Sequence, residues 1–145
     1  MSAFSNIPPQ AVLPLGAYDL AELRRAALRA DQRLLHADCS QATDKGGVMD
    51  ALASAFALPA HFGRNLDALY DCVTDLAPLP EADQPGFVVI LEELPAESDG
   101  GFDRDALLDV FRDAADFFFD KGTAFRVFYS VRKQAPPRAQ GARSD

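Results

Sequence analysis

Apolar residues along the chain fall into helical stripes and short unbroken runs, and the two alternate. Leu20, Leu23, Ala27 and Leu28 share one side of a helix expected over residues 20–30, with Asp19 as its cap. Arg33-Leu34-Leu35-His36-Ala37 then reads as a short strand. Val48, Leu52 and Phe56 recur at i, i+4 and i+8, which predicts a helix from a cap at Asp44 to near Ala57. Gly46 and Gly47 weaken its first turn, and Leu58-Pro59 stops it, because a residue before proline avoids the α region. After Gly63, Asn65 caps a further helix to about Leu76, and Pro78 and Pro80 end it. Phe87-Val88-Val89-Ile90-Leu91 has no polar break, the pattern of a strand covered on both faces. A helix over 103–120 follows, with Gly122 at its C′ position, and Phe125-Arg126-Val127-Phe128-Tyr129 reads as the last strand. Strands separated by helices require a parallel sheet with right-handed crossovers. The expected fold is α/β: a three-stranded parallel sheet packed by helices, with an extra N-terminal helix.

The ends look different. Residues 1–15, with Pro8-Pro9, are expected to be a flexible arm. Residues 132–145, with Pro136-Pro137 and Gly141, are expected to be a disordered basic tail, which leaves 16–131 as a single domain. Of the 145 residues 48% are hydrophobic and eleven are Phe, so a full core is within reach without disulfides or metal. Cys39 and Cys72 accordingly read as reduced thiols, and no cofactor is expected. No apolar run approaches the ~18 residues of a membrane span. The first residues lack a basic flank and an apolar stretch, so the expected location is the cytoplasm, without membrane attachment.

Charge sharpens this picture. Residues 61–120 hold 15 of the 22 acidic side chains and only three of the 14 basic ones. Such a segment repels nucleic acid and attracts a basic protein. On a 3.6-residue wheel, Leu66, Leu69, Val73 and Leu76 fall on one side of the Asn65-capped helix. Asp67, Asp71, Thr74 and Asp75 fall on the other, with Tyr70 on the border. Asp67–Asp71 and Asp71–Asp75 are like-charge i, i+4 pairs that cost roughly 0.2–0.5 kcal/mol each. The last helix repeats the arrangement, with Leu107, Phe111, Ala114 and Phe118 opposite Asp105, Asp109, Asp113, Asp116 and Asp120. Catalytic readings are weaker. His36 and His61 have no zinc-type spacing, the cysteines form no Cys-x-x-Cys, and no nucleophile elbow or phosphate-cradling loop occurs. His61 with Asp67 or Asp71 is a conceivable acid–base pair, but such neighbours arise readily by chance.

From Leu58-Pro59-Ala60-His61-Phe62-Gly63-Arg64-Asn65-Leu66-Asp67-Ala68-Leu69-Tyr70-Asp71-Cys72-Val73-Thr74 onward the chain resembles the signature of the barstar family, inhibitors of barnase-like ribonucleases. Val110-Phe111-Arg112-Asp113-Ala114 resembles the family's later helix, and the resemblance covers about residues 33–130. It implies a three-stranded parallel sheet and a helix, with the loop before it, that plugs a ribonuclease active site. It further implies Asp71 as the central acid, Asp67 beside it, Thr74 adding a hydroxyl, Tyr70 packing on the enzyme, and Gly63 and Asn65 shaping the loop. Asp113 adds a charge from the second helix. His61 stands in the partner-binding loop where the family has tyrosine, Tyr70 where tryptophan is common, and Asp113 where the type member has glutamate. The resemblance implies an intracellular, antitoxin-like immunity protein, without catalytic activity and monomeric when free. The same charges suit an alternative, an acidic interaction module for a basic partner that is not a nuclease.

Overall fold

A computed structural model of the chain describes residues 7–59, 63–80, 82–96 and 102–132. The described residues form four strands and four α-helices, with two consecutive helices between the second and third strands. They are β1 (Gln10–Pro14), α1 (Leu20–Arg29), β2 (Arg33–Asp38), α2 (Lys45–Phe56), α3 (Leu66–Thr74), β3 (Gly86–Leu94), α4 (Arg104–Asp120) and β4 (Ala124–Val131). A 3₁₀ turn at Leu15–Ala17 follows β1. Each helix starts where a short polar side chain can cap it. Asp19, Asp44, Asn65 and Asp103 accept the amide protons of Ala21, Gly47, Ala68 and Ala106 at 2.8–3.0 Å. Gly122 at φ +76° ends α4, a conformation that residues with a Cβ rarely adopt.

All pairings are parallel, in the order β1-β4-β3-β2. The chain crosses the whole sheet once, from β1 to β2 through α1, and returns through α2, α3 and α4. Right-handed crossovers in opposite directions put their helices on opposite faces. That is the arrangement found. Leu35, Phe87, Val89, Leu91, Phe125 and Val127 face the larger core beneath α2, α3 and α4. Val88, Ile90 and Phe128 face a second core closed by Leu23, Ala26 and Ala27 of α1, with Ile7 and Ala11.

The sheet therefore has four strands, not the expected three, and residues 10–14 of the expected arm are its edge. The sequence hides β1 because it is five residues long, lies between Pro9 and a terminal Pro14, and alternates only weakly. An edge strand tolerates proline because only one of its sides must pair. Here that side pairs with β4, from Gln10 opposite Phe125 to Pro14 opposite Tyr129. Arg126 of β4 reinforces the junction. Its guanidinium is buried and donates to the Ile7 carbonyl at 3.3 and 3.4 Å and to Gln32 Oε1 at 3.4 Å. Residues 1–6 and 133–145 lie outside the described residues. Arg132, the first residue of the expected tail, is anchored, with Nη2 donating to the carbonyls of Cys39 at 2.6 Å and Ala42 at 2.7 Å.

Cys39 and Cys72 are both free thiols. Cys72 is half-buried, whereas Cys39 has no exposed surface. Burial pushes the Cys39 thiol from 9.0 up to about 11, Asp38 acts in the same direction and Arg132 opposes them. The folded state thus favours the neutral thiol. Stability is unaffected below the ordinary thiol pKa and falls as pH rises from about 9 towards 11, by up to about 2–3 kcal/mol. Urea titrations across that range should show the decline in the wild type and a flatter profile in Cys39→Ala, compared at equal starting stability.

Candidate functional site

The loop entering α3 is fixed by contacts of Arg64 and Asn65. Arg64 sits at φ 56°, and its Nε contacts Asp50 Oδ1 of α2 at 3.0 Å while Nη2 donates to the Gly46 carbonyl at 3.2 Å. Asn65 caps α3 with its oxygen, and its Nδ2 donates back to the Gly63 carbonyl at 3.4 Å. Asn65 thus links Gly63 to the first turn of α3. His61 lies outside the described residues.

Leu69 and Val73 of α3 are fully buried, which turns Asp67 and Asp71 outward. The register of α4 is set by aromatic packing. Phe118 lies 4.9 Å from Phe87 and 5.2 Å from Phe125, centroid to centroid, and Phe111 lies 6.1 Å from Phe56. With that stripe held inside, Asp113, Asp116, Phe117 and Asp120 form the stripe one step around, at i, i+3, i+4 and i+7.

The two outward faces meet across a groove of about 760 Å³. Asp67 and Asp71 line it from α3, and Asp113, Asp116 and Asp120 line it from α4. Leu66, Val110 and the rings of Tyr70 and Phe117 complete the lining, which includes no basic side chain. Among the described residues, the carboxylates of Asp67, Asp71, Asp113 and Asp120 make no hydrogen bond or ion pair. Asp116 accepts from the Gln10 side-chain amide of β1. Among the described residues no three His, Cys, Asp or Glu side chains converge closely enough to hold a metal ion. The groove is a broad acidic surface, not a chelating cage.

Of the residues singled out from sequence, Asp67, Tyr70, Asp71 and Asp113 come together here. Thr74 does not line the groove, and its hydroxyl donates to the Tyr70 carbonyl at 2.8 Å. His36 is also distant from it. On the opposite sheet face its Nε2 contacts Glu92 Oε1 at 2.8 Å, and its Nδ1 contacts the Arg24 guanidinium of α1. Leu66, Val110, Asp116, Phe117 and Asp120 join the others in the groove, although sequence placed Asp116 and Asp120 only on the acidic side of the last helix and not at a site. The spacing of Asp113, Asp116 and Asp120 was the available signal, but it does not reveal which side of α4 faces α3.

A family model described as Barstar (barnase inhibitor) matches residues 32–130. The chain belongs to the barstar family. The match begins one residue before β2 and ends within β4. It therefore takes in α3, α4 and the whole groove lining, and leaves out β1 and α1. No curated protein matches the chain. The family region thus covers β2, β3, most of β4 and the groove, while β1 and α1 lie outside it. Among the described residues no helix is long and apolar enough to cross a membrane.

Proposed function

We propose that this protein inhibits a barnase-like ribonuclease by seating α3 and its preceding loop in the enzyme's active site. A cleft built to hold RNA phosphates is basic, and an acidic surface of matching shape competes for it. The observation that carries this reading is the groove with five carboxylates, four of them without a hydrogen-bond or ion-pair partner among the described residues, and no basic lining residue. Asp71 is the central acid, with Asp67 one helical turn before it, and Asp113 approaches from α4. Tyr70 packs on the enzyme, and Gly63, Asn65 and His61 belong to the docking loop. The protein has no catalytic step of its own and acts as a cytoplasmic monomer in an antitoxin-like or immunity role. Charge attraction raises the rate of encounter and makes it depend on salt.

The test is titration of purified barnase-like ribonucleases from the same organism with the full chain, following RNA cleavage. The expected result is stoichiometric loss of activity for one of them, with association slowed by added salt. Full activity of every such enzyme at saturating protein would overturn the proposal and leave a basic partner that is not a nuclease.

A further inference from the structure

The α4 side of the groove contains an aromatic ring that already carries a cation. Lys121 Nζ lies 5.0 Å from the centroid of the Phe117 ring. A cation within about 6 Å of a ring centroid is attracted to the negative face of the π system. Phe117 also makes an edge-on contact with Phe118, with centroids 5.3 Å apart and planes at 82°. Asp113 precedes Phe117 by four residues and Asp120 follows it by three, so carboxylates stand at both ends of the ring along the helix. Asp116 is oriented from outside the helix by the Gln10 amide of β1, a residue beyond the family region.

We infer that this half of the groove is a second cation subsite, built on Phe117 between Asp113 and Asp120, that takes an arginine of a basic protein partner onto the ring that Lys121, itself outside the groove lining, contacts in the free protein. The inference deepens the function proposed above by giving the chemistry of a partner contact separate from Asp71. A guanidinium suits the place better than an ammonium. It is planar, so it stacks on the ring while its fork of N–H groups reaches carboxylates on either side. Lys121, compact and strongly hydrated, covers the ring less completely and yields to arginine. The groove is too broad for a small ion, and the acids are spread along two helices. The matching partner presents two cationic side chains on one surface, one to Asp67 and Asp71 and one to Phe117.

Fluorescently labelled hexa-arginine and hexa-lysine peptides test this with the full chain at low ionic strength. The wild type should bind hexa-arginine more tightly, and Phe117→Leu should weaken that binding about 3- to 5-fold. The hexa-lysine affinity should change less, so that the preference collapses. Phe117→Tyr keeps a ring and should keep the preference, which separates the subsite from any general effect on folding. Lys121→Ala should tighten hexa-arginine binding, and that gain should shrink in the Phe117→Leu background, because the competition takes place on the ring. Equal affinity of the wild type for the two peptides, or full additivity of the two substitutions, would overturn the inference. Ribonuclease inhibition without arginine preference would remove this subsite alone. Arginine preference without inhibition of any ribonuclease would remove the proposed function alone.

Discussion

Asp71→Ala is expected to raise the dissociation rate of the ribonuclease complex by about 30-fold or more, with the free protein still folded. In the proposed complex the Asp71 carboxylate is desolvated in a basic cleft and hydrogen-bonded to arginine or lysine. Removing one member of such a pair strands the other charge, and the loss is about 2–5 kcal/mol, a range that barnase and barstar, the family's type complex, helped to set. Among the described residues that carboxylate has no hydrogen-bond or ion-pair partner to lose. The substitution also removes two like-charge i, i+4 contacts, with Asp67 and Asp75, each worth roughly 0.2–0.5 kcal/mol of helix destabilisation. The free variant should therefore melt at the same temperature as the wild type or slightly higher. Asp113→Ala is the informative comparison. It stands in a row with Asp116 and Asp120, so the field on that side survives its loss, and at the rim the effect should be about 1 kcal/mol or less, mainly in the association rate at low salt. Stopped-flow association and surface-based dissociation separate the two rates. Small, equal effects of both substitutions would mean that the acidic faces are merely hydrated surface.

Removing residues 1–31 should abolish cooperative folding of the remainder. Val88, Ile90 and Phe128 are fully buried, and their cover is the chain before β2. Leu23, Ala26 and Ala27 are each only 1% exposed, and Tyr18 packs edge-on to Phe128 with centroids 5.1 Å apart. Fully burying one large aliphatic or aromatic side chain is worth about 1.5–3 kcal/mol, so uncovering several approaches the whole 5–15 kcal/mol stability of an ordinary domain. The truncation also frees the edge of β4 for pairing with other chains. Near-UV circular dichroism should lose its native signal, and urea unfolding its sharp transition. Leu23→Ala in the full chain gives a graded version, with an expected loss of about 2–4 kcal/mol. A truncated chain with native stability would show that α1 is dispensable to the domain. The outcome bears on more than stability, since Gln10 of β1 holds Asp116 at the groove.

Much of this architecture was legible in the sequence, for local reasons. Asp19, Asp44 and Asn65 cap helices through amides two or three residues ahead, so short spacing announced them. The Phe87–Leu91 run marked a strand with both faces covered. Asp67 and Asp71 had to lie on one face of α3, because Leu69 and Val73 required the other. What escaped was non-local. β1 is a strand only because β4 stands beside it, and its weak pattern and terminal proline suit an edge and little else. The α4 contribution to the groove depends on which way that helix is rotated, and this follows from the contacts of Phe118 with Phe87 and Phe125. The Gln10–Asp116 contact joins residues 106 apart in sequence and has no local signature.

The pairing of β1 with β4 also sets the order in which the molecule can be completed during synthesis. β1 leaves the ribosome before β2 and β3, and its strand partner leaves after them. Contacts of such long sequence separation form slowly, since a large loop must close before any of them is gained. The strands and helices from β2 to α4 can assemble around the larger core while β1 and α1 still lack a finished sheet. Until β4 emerges, Val88 and Ile90 present an apolar strip on an incomplete sheet, the kind of surface on which nascent chains aggregate. The protein therefore depends on β4, and on whatever protects the chain until then, to complete its sheet.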